Sequence, residues 1–511
     1  MASLSVLVPA YNEQHLVAAS LGRLQVLESS PDLERIQVVV VDDCSTDTTP
    51  AVLRAFAEAQ GLAWHDGNPA AGGACECARG SRGKPGKPGK IDWLFLRHEH
   101  NGGKGQAVRT ALARAECAIT VVHDADLEYN PHDLQRIVRV FVEENADAVF
   151  GSRFAGSETR RALMFSHQLG NRLLTFFTNV VTNLNLTDME TCYKAVRTDL
   201  LRSIPLTSND FRLEPELTIK LAKRGARIFE VPISYAGRTY QEGKKIGWRD
   251  GVVAMGAITR FGIGDNLFVA DEYGSHTLTR LSRAPRFNAW MGDCIRPYCG
   301  QRVLEIGSGT GNLTRQLVPR TLYVATDINP LYVDSLRGLL TDRPYLRVAT
   351  TDVTKRESFP DVPEGFDTVV CLNVVEHVDD DRAALGNIRH ALAAGGHAII
   401  LVPQGPQALG TLDEALGHQR RYTETSLRQL AEETGFVVKE IVSFNRVGWP
   451  AWWLNGKILK RRTFGLAQIL TLNALTPLFR RIDARLPFPP LSLVGILQKP
   501  QGSAAATSVL P

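Results

Sequence analysis

His123-Asp124-Ala125-Asp126-Leu127-Glu128 directly follows the apolar run 118–122, a pattern that predicts a buried strand ending in a carboxylate cluster. Asp124 and Asp126 are two residues apart, so both can point the same way at a strand end. With Glu128 they offer the hard oxygen donors that Mg²⁺ or Mn²⁺ binds together with water and substrate phosphates. Because Asp-x-Asp also occurs in ordinary surface turns, the motif predicts a metal site only in combination with its neighbours.

Two further strands are predicted upstream, and polar residues follow each of them. The run 3–9 precedes Tyr11, and the run 36–41 precedes Asp42 and Asp43. Amphipathic helical patterns come after both strands, and alternating strands and helices predict a mostly parallel sheet with right-handed crossovers. Ligands of such sheets bind at the carboxyl ends of the strands, where all these acidic residues lie.

The stretch 66–90 interrupts this alternation. It is rich in Gly, Pro and Lys, which predicts a flexible surface insertion. A strand over 93–97 is followed by Asn101-Gly-Gly-Lys-Gly105, where a glycine turn and Lys104 stand at a helix start. This arrangement suits a phosphate, although an ordinary glycine turn is the alternative.

Nine short motifs follow one another in a characteristic order within about the first 260 residues. They are 8–13, 42–47, 101–105, 124–128, 151–153, 187–194, 211–216, 230–235 and 242–246. Together they resemble glycosyltransferase family two, and within it the dolichol- or polyprenyl-phosphate mannose or glucose synthases. The resemblance implies a GT-A-like nucleotide-diphospho-sugar transferase fold and inverting transfer of a hexose.

The resemblance also implies roles for individual residues. The residues expected to bind the nucleotide sugar are Pro9, Tyr11, Glu13, Asp42, Asp43, Lys104 and Asp124. The residues expected to hold Mg²⁺ or Mn²⁺ are Asp124, Asp126 and Glu128. Arg153 and Lys104 would stabilise charge on the leaving diphosphate. A polyprenyl phosphate acceptor is already ionised, whereas a hydroxyl acceptor would need a base such as Glu214, Glu216 or Asp188.

A second set of motifs begins at Arg302-Val-Leu-Glu-Ile-Gly-Ser-Gly-Thr-Gly-Asn312. Here a predicted strand is followed by glycines that let backbone approach a ligand at a helix start. Predicted strands also precede Asp327, Asp352 and Asn373. The order resembles the class I S-adenosylmethionine-dependent methyltransferases over about 286–445. The resemblance implies cofactor binding by Glu305, Gly307, Gly309, Gly311, Asp327, Asp352 and Asn373.

The segment Leu416-Gly-His-Gln-Arg-Arg-Tyr422 resembles a motif near the active site of small-molecule methyltransferases. It makes His418, together with His377, a candidate for the acceptor side of the site, with packed core histidines as the alternative. The stretch 449–490 combines tryptophans, basic residues and an apolar run. It predicts either a helical cap over the substrate cleft or an interfacial helix on an anionic membrane.

Composition limits the remaining functions. The 511 residues carry a net charge of only +4, which gives no indication of nucleic-acid binding. Eight scattered cysteines favour a reducing compartment, and neither a signal peptide nor a membrane span is recognisable. These features predict a cytoplasmic protein, with peripheral contact at the inner face of the membrane through 449–490 as an extension.

The predicted organisation is a fusion of two α/β domains. A glycosyltransferase domain covers 1–262, a linker 263–286, a Rossmann-like methyltransferase domain 287–500, and a disordered tail 501–511. The predicted function is bifunctional: hexose transfer from a nucleotide sugar, and methyl transfer to a small molecule, lipid or sugar. Two alternatives are a C-terminal half that only binds a cofactor or partner, and one that uses a nicotinamide cofactor.

Overall fold

A computed structural model describes residues 1–65, 74–81, 90–156, 161, 165–238, 248–264, 267, 278, 280–337 and 343–501. The chain divides into two compact units, Met1–Val269 and Ala270–Pro511. The predicted fold class is confirmed, because each unit is a sheet of mostly parallel strands combined with helices. The linker over 263–286 stays a prediction, as does the disordered tail, which lies almost wholly outside the described residues.

The first unit contains an eight-stranded sheet in the order β3-β4-β2-β1-β5-β7-β6-β8. Its strands are β1 (Ala2–Ala10), β2 (Leu33–Asp42), β3 (Ala74–Ser81), β4 (Ile91–His98), β5 (Ile119–Val122), β6 (Ala148–Ser152), β7 (Lys194–Arg197) and β8 (Ile228–Pro232). Its helices are α1 (Val17–Leu24), α2 (Thr49–Ala59), α3 (Lys104–Ala113), α4 (His132–Glu143), α5 (Phe165–Thr182), α6 (Thr198–Ser203), α7 (Leu213–Lys223) and α8 (Trp248–Ile263).

The central strands β4, β2, β1 and β5 are parallel neighbours, whereas β3 and β7 run antiparallel to theirs. The side chains of β1 and β2 are buried almost continuously rather than alternately. Such apolar runs are typical of parallel strands that are covered on both faces. Because four strands point the same way, their carboxyl ends share one edge of the sheet.

The prediction of a flexible insertion over 66–90 is wrong for residues 74–81. These residues form β3, which pairs antiparallel with β4 at the sheet edge. Cys77 and Ala78 are buried, so small side chains are sufficient to pack this edge strand although large apolar ones are missing. Residues 66–73 and 82–89 lie outside the described part.

The second unit contains a seven-stranded sheet in the order β11-β10-β9-β12-β13-β15-β14. Its strands are β9 (Arg302–Ile306), β10 (Leu322–Asp327), β11 (Leu346–Thr350), β12 (Phe366–Leu372), β13 (Leu392–Pro403), β14 (Val437–Phe444) and β15 (Ser492–Gln498). Its helices are α9 (Pro285–Ile295), α10 (Thr314–Leu317), α11 (Pro330–Arg337), α12 (Asp381–Ala391), α13 (Thr411–Leu416), α14 (Glu424–Glu433), α15 (Gly448–Trp453) and α16 (Leu466–Ile482). The first five strands are parallel, and β15 and β14 join antiparallel.

The C-terminal stretch 449–490 contains most of α15 and all of α16. On α16, Ile469 is buried in the same core cluster as residues of α9, while Leu470, Leu475 and Leu478 are exposed. A packed helix with an exposed apolar side is compatible with both predicted roles, a cap and a membrane-surface helix, so that choice stays open. Within the described ranges, no helix is both long and apolar enough to cross a bilayer.

Candidate functional site

The carboxyl ends of β1, β2 and β5 open into a cavity of about 1370 Å³ in the first unit. Ten of the residues predicted for nucleotide-sugar binding, metal binding or catalysis line it: Pro9, Tyr11, Glu13, Asp43, Lys104, Asp124, Asp126, Glu128, Arg153 and Glu214. The parallel strands therefore bring together residues that are up to two hundred positions apart in the chain.

The pKa values of the Asp124 and Asp126 carboxyls are shifted in opposite directions. Burial, and then the charges of Asp124 and Glu128, raise the pKa of Asp126 to about 7. Burial acts in the same direction on Asp124, but the Lys104 ammonium, 2.9 Å from Oδ1, outweighs it and lowers the pKa of Asp124. Asp124, Asp126 and Glu128 are partly buried carboxylates that face one cavity, a donor set that suits a divalent cation.

Glu128 faces the same cluster but already has partners. Its carboxylate accepts hydrogen bonds from the hydroxyl of Tyr235 at 2.7 Å and from the backbone and side-chain nitrogens of Arg238. Arg238 also reaches Asp126, at 3.2 Å. Glu128 thus positions a guanidinium beside the carboxylates, and its predicted role as a metal ligand stays a prediction.

Asp43 fastens the glycine turn that precedes α3. Its two oxygens accept hydrogen bonds from the backbone N–H groups of Gly102 and Gly103 at 2.9 and 2.7 Å, and one lies 2.7 Å from Nδ1 of His98. A Cβ at Gly105 would lie 1.9 Å from the carbonyl oxygen of Ser208, so that turn packs directly on the 207–209 loop.

Three predicted site residues do not line the cavity: Asp42, Asp188 and Glu216. Glu216 is fully buried and accepts hydrogen bonds from Thr207, Ser208 and Lys220. It therefore holds the loop that packs on the glycine turn, which is a positioning role rather than that of a base. Asp42 is also buried, and its carboxylate accepts the backbone N–H of Ser45.

Arg153 lines the cavity and is fixed by a bidentate contact to Asp188, at 2.6 and 2.7 Å. Asp188 is fully buried and also accepts from Asn171. Because both oxygens of Asp188 are engaged, this carboxylate orients the guanidinium and is poorly placed to act as a base.

Glu214 contacts two lysines, Lys194 at 2.7 Å and Lys104 at 3.5 Å. The neighbouring carboxyl of Glu190 was not predicted from the sequence, although it lies inside the recognised segment 187–194. It lines the cavity, burial raises its pKa to about 7, and one of its oxygens has no hydrogen-bond partner among the described residues.

The far wall of the cavity is formed by α5 and α8. Their inner sides pack together around Leu174, Ala257 and Ile258. The two helices also expose large apolar side chains, of which Leu173 and Val252 line the cavity: Phe165, Leu169, Leu173, Phe176, Phe177, Val180, Val181, Val252, Val253 and Ile263. A cavity with charged groups at one end thus continues into an exposed apolar surface, which we call the α5–α8 face.

In the second unit, the predicted cofactor loop follows β9. Gly307, Gly309 and Gly311 all have positive φ angles, of +74°, +53° and +78°. A Cβ at Gly307 would lie 2.3 Å from Cγ2 of Val374, so the loop packs against the segment after β12. Asp327 accepts hydrogen bonds from the backbone N–H of Gly309.

The other predicted cofactor residues differ in what they contact. Glu305 is buried and accepts hydrogen bonds from the hydroxyls of Thr314 and Tyr323, so it links the end of β9 to α10 and β10. Asp352 is engaged with Thr354 and Lys355. Asn373 is exposed in the turn after β12, at the same sheet edge.

His377 and His418 lie side by side, with ring centroids 4.9 Å apart. The sequence prediction missed their neighbour Glu376, which is fully buried. Neither of its carboxylate oxygens has a hydrogen-bond partner among the described residues, and burial raises its pKa to about 8. Its position directly before His377 is the signal that could have found it.

Comparison with known proteins assigns a family to each of the two parts of the chain. The family model "Glycosyl transferase family 2" matches residues 5–67 and 87–204, and the model "Methyltransferase domain" matches residues 304–398. The chain is a glycosyl transferase family 2 domain fused to a methyltransferase domain. The prediction of two transferase domains in this order is thereby confirmed.

Curated relatives match the glycosyltransferase domain. An undecaprenyl-phosphate mannosyltransferase of Micrococcus luteus is 28% identical over 50% of this chain and 93% of its own length. A UDP-N-acetylglucosamine–dolichyl-phosphate N-acetylglucosaminyltransferase of Methanococcus voltae is 26% identical over 45% and 83%. Among solved structures, a magnesium protoporphyrin IX methyltransferase from Synechocystis with bound SAH is 13% identical, covering 43% of this chain and 87% of its own, with a TM-score of 0.29.

Proposed function

We propose that the glycosyltransferase domain transfers a hexose, with inversion, from a nucleotide-diphospho-sugar to a polyprenyl phosphate. The observation that carries this proposal is the cavity that joins a charged end to the exposed α5–α8 face. A polyprenyl phosphate has the same two parts, an anionic head and an apolar tail. The names of the two curated relatives, an undecaprenyl-phosphate mannosyltransferase and a dolichyl-phosphate N-acetylglucosaminyltransferase, support the same acceptor class.

The donor end suits a diphosphate. Asp124 and Asp126 would hold Mg²⁺ or Mn²⁺, since both line the cavity and burial, together with the charges of Asp124 and Glu128, raises the pKa of Asp126. When bound, the ion would neutralise charge on the leaving diphosphate. Lys104 and Arg238 are the chain's own cations beside this cluster, and both would bind diphosphate oxygens as negative charge develops.

The carboxylates that could serve as a base favour an acceptor group that is already ionised. The three carboxylates proposed as bases for a hydroxyl acceptor are all paired with cations: Asp188 with Arg153, Glu214 with Lys194, and Glu216 with Lys220. Paired carboxylates are weak bases, because the neighbouring charge stabilises the ionised form. A phosphate acceptor needs no proton removed, so the arrangement favours it over a hydroxyl.

Glu190 allows a direct test of this choice. It is the cavity carboxyl with an unpartnered oxygen and a pKa of about 7, so it is the residue best suited to serve as a base for a hydroxyl acceptor. With a polyprenyl phosphate, Glu190→Gln should keep most of the wild-type turnover at neutral pH. A loss of about 100-fold or more would instead indicate a hydroxyl acceptor.

The experiment is a transfer assay with the purified full chain. Radiolabelled GDP-mannose, UDP-glucose and UDP-N-acetylglucosamine are each offered with Mn²⁺ and a short polyprenyl phosphate, and labelled lipid is extracted into organic solvent. Asp126→Asn is compared with Asp32→Asn, which changes a partly exposed carboxylate that pairs with Arg139 and does not line the cavity. Label in the lipid fraction that requires Asp126 supports the proposal, and donor hydrolysis without labelled lipid contradicts the acceptor.

Variants on the α5–α8 face distinguish binding of the lipid acceptor from binding of the sugar donor. Leu173→Ser changes a cavity-lining residue of this exposed surface, whereas Val142→Ser changes an equally exposed apolar residue on α4. If the face holds the lipid tail, Leu173→Ser should raise the KM for a polyprenyl phosphate and leave the KM for the donor unchanged. Equal effects of both variants would contradict this assignment.

For the second domain we propose S-adenosylmethionine-dependent methyl transfer. The observation behind it is a glycine loop whose backbone is tied to Asp327, at the carboxyl end of adjacent parallel strands. Aspartate at this position suits ribose hydroxyls, and the bound cofactor would supply an electrophilic methyl group. Calorimetry with S-adenosylhomocysteine and with NAD should show binding of the first only; binding of NAD alone would favour the nicotinamide alternative.

A further inference from the structure

Glu376 is a buried carboxylate whose hydrogen bonds are missing. It is fully buried, and neither oxygen has a partner within the described chain. Buried polar side-chain atoms almost always have a partner, and each exception needs an explanation such as binding of an ion. The backbone carbonyl of Glu376 is bonded to Gln419, so the residue itself is firmly placed.

Two imidazoles stand next to this carboxylate. One ligand atom each from Glu376, His377 and His418 lies within 4.8 Å of the others. Nε2 of His418 is 3.9 Å from Oε1 of Glu376, which is too long for a hydrogen bond. Two atoms that each bind one ion at about 2.1 Å are separated by about 3 to 4 Å, so this spacing suits a shared ion.

The ring of His418 is oriented by a second carboxylate. Its Nδ1 lies 2.8 Å from Oδ1 of Asp413, which also accepts hydrogen bonds from Arg421 and from the indole of Trp452. The Asp413 carboxylate is paired with Arg421 and can only accept, so it favours the tautomer in which Nδ1–H of His418 donates to it. Nε2 then carries the lone pair toward Glu376, as in histidines whose other nitrogen is held by a carboxylate behind a metal.

We propose that Glu376, His377 and His418 bind a divalent transition-metal ion in the methyltransferase domain. Two imidazoles and one carboxylate favour Zn²⁺, Fe²⁺ or Co²⁺ over Mg²⁺, which prefers oxygen ligands. His377 is exposed at the rim of this cluster, and its Nδ1 lies 3.1 Å from the carbonyl oxygen of Gly417. Three protein ligands leave further coordination positions open, as in catalytic rather than structural sites.

The position of the cluster suggests which molecule reaches those open positions. Val374, two residues before Glu376, packs on Gly307 of the glycine loop. The metal would therefore lie beside the cofactor loop, where an oxygen of the methyl acceptor could complete the coordination. Only this last role rests on the proposed methyl transfer, whereas metal binding does not.

The test uses Co²⁺ as a spectroscopic probe. The full chain is freed of metal with a chelator and titrated with Co²⁺, in the absence of S-adenosylmethionine and acceptor, while visible absorption is recorded. We expect one equivalent of Co²⁺ to produce a d–d band, and Zn²⁺ to displace it. Glu376→Gln and His377→Ala should each weaken Co²⁺ binding by about tenfold or more.

Two variants serve as controls. His390→Ala removes another exposed histidine of the same unit, and Asp126→Asn removes the carboxylate proposed to bind metal in the other unit. Both should keep the Co²⁺ band. The exposed position of His377 makes its variant informative even if Glu376→Gln fails to fold. Wild-type Co²⁺ binding by His377→Ala, or a band that disappears in Asp126→Asn, would overturn the proposal.

Discussion

The Nζ atom of Lys104 lies 2.9 Å from Oδ1 of Asp124, so an ammonium from the start of α3 neutralises a carboxylate at the end of β5. Lys104 is reached through the glycine turn 101–105, which Asp43 and the 207–209 loop hold in place. The lysine is therefore presented to the donor end of the cavity by backbone geometry rather than by a flexible loop. Its charge is available both to the carboxylates and to a diphosphate.

Lys104→Met should lower the rate of sugar transfer by about 100-fold, because one preorganised cation would be lost where negative charge develops. The side chain of methionine keeps most of the apolar volume, so the change is mainly one of charge. Single-turnover rates with labelled donor measure the effect. Lys90→Met, at the amino end of β4, is the matched control and should transfer at the wild-type rate. Equal rates in both variants would contradict a role for Lys104.

The ion pair between Arg153 and Asp188 should be important for stability. Asp188→Asn leaves the Arg153 guanidinium without its buried counter-charge, which typically costs about 3 to 5 kcal/mol. Urea denaturation followed by circular dichroism measures the loss. Asp32→Asn removes the partly exposed pair with Arg139 and should cost less than about 1 kcal/mol. A similar free energy of unfolding for both variants would show that the Arg153 pair contributes no more than a surface pair.

Much of the site could be predicted from the sequence, because its residues follow strands that are recognisable from apolar runs. Asp43, Asp124 and Asp126 stand directly after such runs, and a parallel sheet places strand ends at one edge. The role of Glu216 could not be predicted in this way. Whether a glutamate on a helix faces the cavity or a loop depends on packing, and here Lys220 and the 207–208 backbone engage it.

Two carboxyls escaped prediction for a related physical reason. Among the described residues, Glu190 has one buried carboxylate oxygen without a hydrogen-bond partner, and Glu376 has two. Whether a carboxylate has such partners depends on the folded structure, so the sequence alone cannot show it. The strand β3 was missed for the opposite reason. Its side chains are small and polar, but backbone pairing with β4 and two small buried residues are sufficient to hold an edge strand.

Glu190 should make stability depend on pH. Its pKa rises from 4.5 to about 7 on folding, so between these values the folded chain holds a proton that the unfolded chain has lost. The free energy of unfolding then falls as pH rises from 4.5 to 7, by about 3 kcal/mol in total from this group. Above about pH 7 Glu190 is ionised in both the folded and the unfolded chain, so the full loss of folding stability is reached.

Glu190→Gln removes this titration. The variant should match the wild type in thermal stability near pH 4.5 and exceed it at pH 8, because the amide cannot ionise in the buried position. Thermal unfolding at a series of pH values checks the prediction. Glu58→Gln, an exposed glutamate on α2, is the control and should follow the wild type throughout. A constant difference between Glu190→Gln and the wild type across this range would contradict the assignment.

Gly307→Ala should abolish or strongly weaken S-adenosylhomocysteine binding. A Cβ at this position would lie 2.3 Å from Cγ2 of Val374, and the φ angle of +74° is strained for any residue with a side chain. The loop must then move away from the Asn373 turn, and the backbone N–H of Gly309 would lose its position beside Asp327. Calorimetry should show an affinity for S-adenosylhomocysteine that is reduced by about tenfold or more, because each hydrogen bond lost from the loop costs about 1 kcal/mol of binding free energy.

Gly386→Ala on α12 is the control, since a Cβ there meets nothing within 4 Å. It should bind S-adenosylhomocysteine as the wild type does and unfold at an equal or higher temperature. Unchanged binding by Gly307→Ala would show that the cofactor does not depend on this loop.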